Sequence, residues 1–420
     1  KPQLGQGTGI LLLTRGLAPE AFRALADRIG REENTYFTRW AKRKVPEEIF
    51  RFVREKTKGL TIRMNEEDVR QVRYNAEHTE WGRAMKRDIL RIADYWASYS
   101  DDELFDLVPV GNPRAFQPSV HLGDPLTGGK RVFHLCLERP YQYYNAATGM
   151  WWYNGMTLRN PTTGEELVLQ DDGEGFLAPE GFPNPGVRYM FTATYRSFIL
   201  SMLMGEPWCP VLEDRNVCPE TSGRQYAGAI SNLAYAYVLT GDRKYAWKAL
   251  ILIGRIAELV PYMNGNYNQY DTVQIAEPTT SESHWLSNFF DALDLLYDVV
   301  DELNPALAEF FARKPDAENN VRKEPFQLKK AVHAMIPPIL YSCEIEKRRS
   351  ADWSLRWIYL ELILASFMQN GELMYHVLYE GKSSLMYKMR NSFFRDGRYI
   401  YDSFFYIHHI SLYMLFPHHL

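Results

Sequence analysis

Apolar residues recur at three- and four-residue spacing along most of the chain, the pattern of helices with one buried face. "LAPEAFRALADRIGREE" (17–33) places Pro19 at a helix start, and "PEEIFRFVREKT" (46–57) repeats the pattern behind a leading Pro-Glu-Glu. A longer helical segment is expected from about Glu66 to Tyr99, through "WGRAMKRDILRIADYWASY". From about Asp101 to Gly186 the periodicity fails. Gly, Pro, Asn and Asp dominate there, and the short runs "RVFHLCLE" (131–138) and "EELVLQ" (165–170) suit strands. A structureless loop of this length is uncommon, so a compact, partly β insertion is expected.

Beyond Arg188 the helices return in pairs. "GRQYAGAISNLAYAYVLTGDRKYAWKALILIGRIAELV" reads as two helices joined at "TGDRK", with Gly241 as the left-handed stop of one and Asp242 as the cap of the next. The same grammar recurs in "LILASFMQNGELMYHVLYE", where Gly371 follows Asn370. A third pair fits "SHWLSNFFDALDLLYDVVDEL" followed by "EPFQLKKAVHAMIPPIL". Helical hairpins with short joints stack side by side, so the expected fold is mainly α: an incomplete α/α toroid spanning 1–420 as one domain, with the irregular insertion at about 101–186.

Composition narrows the function classes. A net charge of −4 over 420 residues gives no electrostatic ground for nucleic acid or an anionic membrane surface. No apolar run reaches the ~18 residues of a membrane span. The chain begins with Lys1 rather than Met, as a processed product does, so a secreted or periplasmic protein would already have lost its signal. Aromatic residues make up 14%, enough to furnish either a large helical core or the stacking platforms of a sugar cleft. The four cysteines match no zinc spacing. Cys209 and Cys218 are close enough in sequence to close a small loop in an oxidising compartment, and unpaired buried thiols are the alternative.

Proton-transfer groups concentrate near the carboxyl end, in "RDGRYIYDSFFYIHHISLYMLF" (395–416). On a helix Asp402 and Tyr406 share a face, as do Tyr406 and His409. A phenol beside an imidazole can divide acid and base duties, whereas a plain packing seam needs neither. His408 and His284, in "SESHWLSNFF", are further candidate bases. In the insertion, "GMWWYNG" sets Trp151 and Trp152 in a turn-rich context that suits stacking on sugar rings. "DDGEGF" (171–176) offers hard oxygen ligands for calcium, without the spacing of an EF-hand loop.

Several of these stretches together resemble the toroid domain of heparinase II/III-like polysaccharide lyases. They are "TRGLAPEAFRALADRI", "EWGRAMKRDILRIADYWASYSDDELFDLVP", "DDGEGF", "YMFTATYRSFIL" and "YAGAISNLAYAYVLTGDRKYAWKALILIGRIAELVPYM", and the likeness covers roughly residues 8–416. It implies β-elimination at a uronic acid within an anionic polysaccharide or oligosaccharide. Carried over, the motif tyrosine falls on Tyr406, with Asp402 in place of the usual glutamate. The upstream pair falls on Asp352 and Trp353, where the family often has Asn-His. Trp353 cannot act as a base but can stack on a sugar, as can Trp285. Arg349 and Arg356 would neutralise the substrate carboxylate, and the run "EKRRS" (346–350) adds local positive charge.

No cofactor is expected; calcium or zinc is conceivable, but no ligand spacing asks for either. The family's carboxyl-terminal β-sandwich is expected to be absent from this chain, which implies a fragment, a toroid working alone, or a partner that closes the cleft. Two other functions fit the same scaffold. One is a non-catalytic glycan-binding or assembly protein. The other is an α/α glycoside hydrolase with Asp352 and Asp402 as its carboxyl pair.

Overall fold

The computed structural model describes residues 42, 44–57, 64–108, 124–129, 133–139, 142–170, 176–189, 199–200, 202–205, 214–219, 226–263, 281–349, 354–391 and 395. The protein is mainly helical. Among the described residues the first helices are α1 (Glu47–Phe50), α2 (Glu66–His78), α3 (Glu80–Ala97) and α4 (Asp101–Leu107). After the insertion come α5 (Ala229–Thr240), α6 (Arg243–Leu259), α7 (Ser281–Ala312), α8 (Leu328–Arg349), α9 (Ser354–Phe367), α10 (Gly371–Tyr379) and α11 (Leu385–Asn391).

Local chemistry explains most of these boundaries. The continuous helix expected over 66–99 is broken at Thr79, which is extended (φ −111°, ψ 153°). Its hydroxyl closes α2 by donating to Asn75 O at 2.7 Å and opens α3 by accepting from Gly82 N at 3.0 Å. A Cβ at Gly82 would lie 2.0 Å from Asn75 O, so the tight α2–α3 elbow requires glycine there. Asn65 with Asp68, and Ser100 with Glu103, form capping boxes at the starts of α2 and α4. The α4 helix therefore begins where the irregular insertion was expected to. The "PEEIFRFVREKT" stretch is helical only over Glu47–Phe50.

The α5–α6 joint follows the sequence reading. Gly241 takes φ 72° and the Asp242 side chain accepts from Lys244 N at 2.9 Å. At the α9–α10 joint the left-handed residue is Gln369 (φ 54°), Asn370 caps by accepting from Leu373 N, and Gly371 is the first helical residue. α7 runs on past the expected end near Leu303, through Pro305 to Ala312. Asn304 on this helix reaches across to accept from Leu328 N, supplying the first turn of α8 with a partner from a different element.

The helices pack as two alternating rows. α3, α5, α7 and α9 are successive neighbours in one row, and α4, α6 and α8 in the other; the rows meet through α5–α6, α6–α7 and α8–α9. Helices in such an arrangement are covered on most sides, and α5 and α9 are correspondingly apolar almost all round, while α6 keeps one charged face. Tyr245 Oη on α6 ties the two rows by donating to Asp94 on α3 at 2.7 Å, while Trp247 Nε1 and Lys248 Nζ fasten α6 to α4 within one row by donating to Asp101.

Among its described residues the insertion holds three small antiparallel sheets. β1 (Phe133–Leu135), β2 (Gln142–Asn145) and β3 (Met150–Tyr153) form the largest; β4 (Thr157–Arg159) pairs with β5 (Glu166–Val168), and β6 (Phe176–Leu177) with β7 (Arg188–Tyr189). The two runs read as strands in the sequence supply β1 and β5. Asn145 and Asn160 each accept from backbone N–H groups two and three residues on, which fixes the turns between strands. Tyr143 and Trp152, a cross-strand pair, join Leu158, Phe176 and Tyr189 in the hydrophobic core that also holds the helices.

Candidate functional site

The sequence candidates divide sharply by position. Asp352, Trp353, Asp402, Tyr406, His408 and His409 lie outside the described residues, as do Asp171, Asp172 and Glu174 of the acidic run. Arg349 ends α8, and its side chain is likewise outside the description. Arg356 is half-buried in the first turn of α9. The segment 350–353 therefore joins α8 to α9, with Arg349 before it and Arg356 just after.

Two expected sugar platforms are core residues. Trp285 is 0% exposed on α7, and Trp152 is 1% exposed on β3, so neither presents a ring face to a ligand. His284 is half-buried beside Trp285. The reason for the Trp152 correction is strand alternation. "MWWY" is a strand rather than a turn, so Trp152 points into the core and Trp151 to the opposite face. Trp151 is half-buried there, with its ring centroid 5.2 Å from that of Tyr144 and the Arg139 guanidinium 4.4 Å from its own.

The "EKRRS" run is also split by its helix. Lys347 turns inward, where its ammonium donates to Glu344 Oε1 at 2.6 Å and to Glu361 Oε2 on α9 at 2.8 Å. Glu346 is buried too, while Arg348 remains at the surface, pairing with Glu344. From α10, His376 brings Nε2 to Glu344 Oε1 and Nδ1 to Glu380 Oε2, each at 2.8 Å. Four ionisable groups from α8, α9 and α10 thus converge on one buried cluster. The pattern was missed in the sequence because its members are separated by up to 32 residues between Glu344 and His376.

Environment divides the protonation states within this cluster. Burial pushes the Glu361 carboxyl up to about 7 despite the nearby Lys347 ammonium. Burial also works against charge on Glu344, but the His376 hydrogen bond and the Lys347 charge hold that carboxyl well below the usual range. The bond to Glu344 raises the His376 imidazole above its ordinary value, against its own partial burial, and the bond to Glu380 adds to this. Burial, reinforced by Glu361, pushes the adjacent Cys343 thiol well above its ordinary value, which makes it a core residue rather than a nucleophile.

The ligand atoms of Glu344, Glu361 and His376 lie within 4.8 Å of one another, a spacing compatible with a metal ion. The Lys347 ammonium already sits between the two carboxylates and supplies the positive charge a metal would bring. Cys136, Glu138 and Cys218 also cluster, but the two cysteines are joined in a disulfide and offer no thiolate. That bridge replaces the Cys209–Cys218 loop weighed from the sequence; Cys209 itself lies outside the described residues. It ties the end of β1 to the segment preceding α5.

A groove of about 330 Å³ opens between α2, α3 and α5, lined by Met64, Val72, Trp81, Met85 and Ile89 among others. It is almost wholly apolar and brings no acid–base pair together. Among the described residues no helix is long and apolar enough to cross a membrane. Fold and cluster define a two-row helical protein with a β insertion and a buried ion-pair clamp between α8 and α9. Compared with known proteins, the chain matches no family model, no curated protein and no solved structure.

Proposed function

We propose that the protein is a polysaccharide lyase that cleaves a uronic-acid-containing anionic polysaccharide by β-elimination, built on an incomplete α/α toroid. The observation that carries this reading is the alternation of α3, α5, α7 and α9 with α4, α6 and α8, the neighbour pattern of stacked helical hairpins. Joints between such hairpins gather at the rim of a concave face. The joint 350–353 carries Asp352 and Trp353, and the Lys347 clamp anchors the helices on both sides of it.

In the proposed reaction Arg349 and Arg356 balance the substrate carboxylate, so the proton α to it becomes acidic enough to leave. A base, His408 or His409, takes that proton. Its electron pair forms the new carbon–carbon double bond as the β carbon–oxygen bond breaks. Tyr406 protonates the departing glycosidic oxygen. The clamp takes no part in these steps: Glu361 is 1% exposed, so it touches no ligand, and its role is positional. The Cys136–Cys218 disulfide supports a secreted or periplasmic location, because such bridges persist in oxidising compartments.

Purified protein incubated with alginate, ulvan and glycosaminoglycans is expected to generate ultraviolet absorbance from unsaturated uronate, and Tyr406→Phe to abolish it. No absorbance with any of these polymers would overturn the reading. Retention of glycan without turnover would select the binding-protein alternative, which the Asp352-Trp353 pair favours. Reducing ends without a double bond would select hydrolysis.

A further inference from the structure

The face of the β1–β2–β3 sheet turned away from the core is built from aromatic and ionic side chains. Tyr144 and Trp151 are cross-strand partners on this face, and His134 pairs with Tyr144 from β1, giving a row of three rings. Tyr144 and Trp151 pack on the Cys136–Cys218 bridge, which pins the row to the segment preceding α5. Arg139 lies over Trp151. Glu138 carries a carboxylate oxygen 3.6 Å from Cys218 Sγ.

A second aromatic group lies at the end of α3. Tyr95 and Tyr99 share a hydrogen bond between their hydroxyls at 2.9 Å, and Tyr95 packs 4.4 Å from Tyr226. Tyr226 is held in place because its carbonyl accepts from the buried Trp96 Nε1 at 2.9 Å. Arg91, one turn earlier on α3 and exposed, lies 5.1 Å from the Tyr226 ring. The charge of Glu138, beside the first group, is felt by the second: after burial and Tyr99 it is among the influences that raise the Tyr95 phenol. Both tyrosines therefore keep their protons at neutral pH and remain hydrogen-bond donors.

A core seam explains neither the exposed arginines nor the half-buried ring faces. Flat aromatic faces suit the apolar face of a pyranose, phenols and a carboxylate suit its hydroxyls, and a guanidinium over a ring suits a sugar acid. We infer that Trp151, Tyr95, Tyr99 and Tyr226, with Arg91 and Arg139, form a second binding surface for an anionic saccharide chain. It lies on the insertion and the end of α3, on elements other than those that carry the proposed chemistry. The surface deepens the lyase reading by supplying a hold on polymer away from the reacting bond, but it stands on its own geometry.

Calorimetric titration with an alginate hexasaccharide and a heparin hexasaccharide tests this, using the full chain carrying Tyr406→Phe to prevent turnover. Maltohexaose serves as the uncharged control. At least one charged hexasaccharide is expected to bind, more tightly than maltohexaose and more weakly as salt rises. Trp151→Ala is expected to weaken it at least tenfold. Arg91→Gln and Arg139→Gln alter exposed side chains and keep the test valid if the tryptophan variant misfolds; each is expected to weaken binding several-fold. Unchanged affinity in both arginine variants, or no binding of either charged hexasaccharide, would overturn the proposal. The lyase reading is separable: turnover of polymer with KM unchanged in Arg91→Gln removes this surface and keeps the lyase. Trp151-dependent binding, with no unsaturated product from the chain that keeps Tyr406, keeps the surface and removes the lyase.

Discussion

Lys347 Nζ on α8 donates to Glu361 Oε2 on α9 at 2.8 Å, with the two side chains 4% and 1% exposed. The same ammonium holds Glu344, so one cation neutralises carboxylates from both helices of the hairpin. Removing one member of such a buried pair strands the other charge in a low-dielectric site. Lys347→Met is expected to lower stability by about 3–5 kcal/mol, read as a shift of the urea midpoint. The double variant Lys347→Met/Glu361→Leu is expected to recover much of the loss. A Lys347→Met protein as stable as the parent would show that the clamp does not form.

The clamp also predicts a pH dependence. Glu361 has its folded-state value raised to about 7, so between the ordinary carboxylate value and about 7 the folded protein binds more protons than the unfolded chain. Its contribution to stability is therefore full at acid pH and lost as pH rises through about 7. His376, also raised, works in the same direction: its contribution is present below its unfolded value and lost as pH rises past the folded one. Urea unfolding of the parent and Glu361→Gln across this window is expected to show the parent losing stability relative to the variant. The relative loss should be on the order of 2–3 kcal/mol. Parallel curves would remove the protonation argument.

The Cys136–Cys218 bridge closes a loop with a sequence separation of 82. Loop-closure entropy for a separation of this size is about 4–5 kcal/mol, with measured effects usually about 2–5. Cys136→Ser with Cys218→Ser is expected to lower the thermal midpoint and to leave the α8–α9 clamp intact. Peptide mapping under non-reducing conditions should recover the two cysteines on one cross-linked fragment. Cys343, buried and with its thiol held protonated, should resist alkylation until the protein unfolds.

Gly82→Ala places a methyl group 2.0 Å from Asn75 O, a distance backbone atoms cannot tolerate. Helix propensity alone favours alanine by about 1 kcal/mol, so the sign of the change distinguishes the two effects. Destabilisation is expected, measured by thermal unfolding. Stabilisation would mean that α2 and α3 run on as one helix, as the periodicity alone suggested. Asp242→Ala, which removes only a cap from a helix otherwise unchanged, should cost about 1 kcal/mol.

What the chain determines locally was legible in its letters. Periodicity marked the helices, Gly241 and Asp242 marked the α5–α6 joint, and two short apolar runs marked β1 and β5, because each signal depends on neighbours a few residues away. Reading Trp152 as a sugar platform failed for want of one fact, the face of a strand toward which it alternates. The tertiary structure alone decided that Lys347 turns inward to Glu361, that Cys136 takes Cys218, and that Tyr95 packs on Tyr226. In each of these the partners come from separate elements, and only the packing of helix on helix and sheet on helix brings such distant charges, sulfurs and rings within reach of one another.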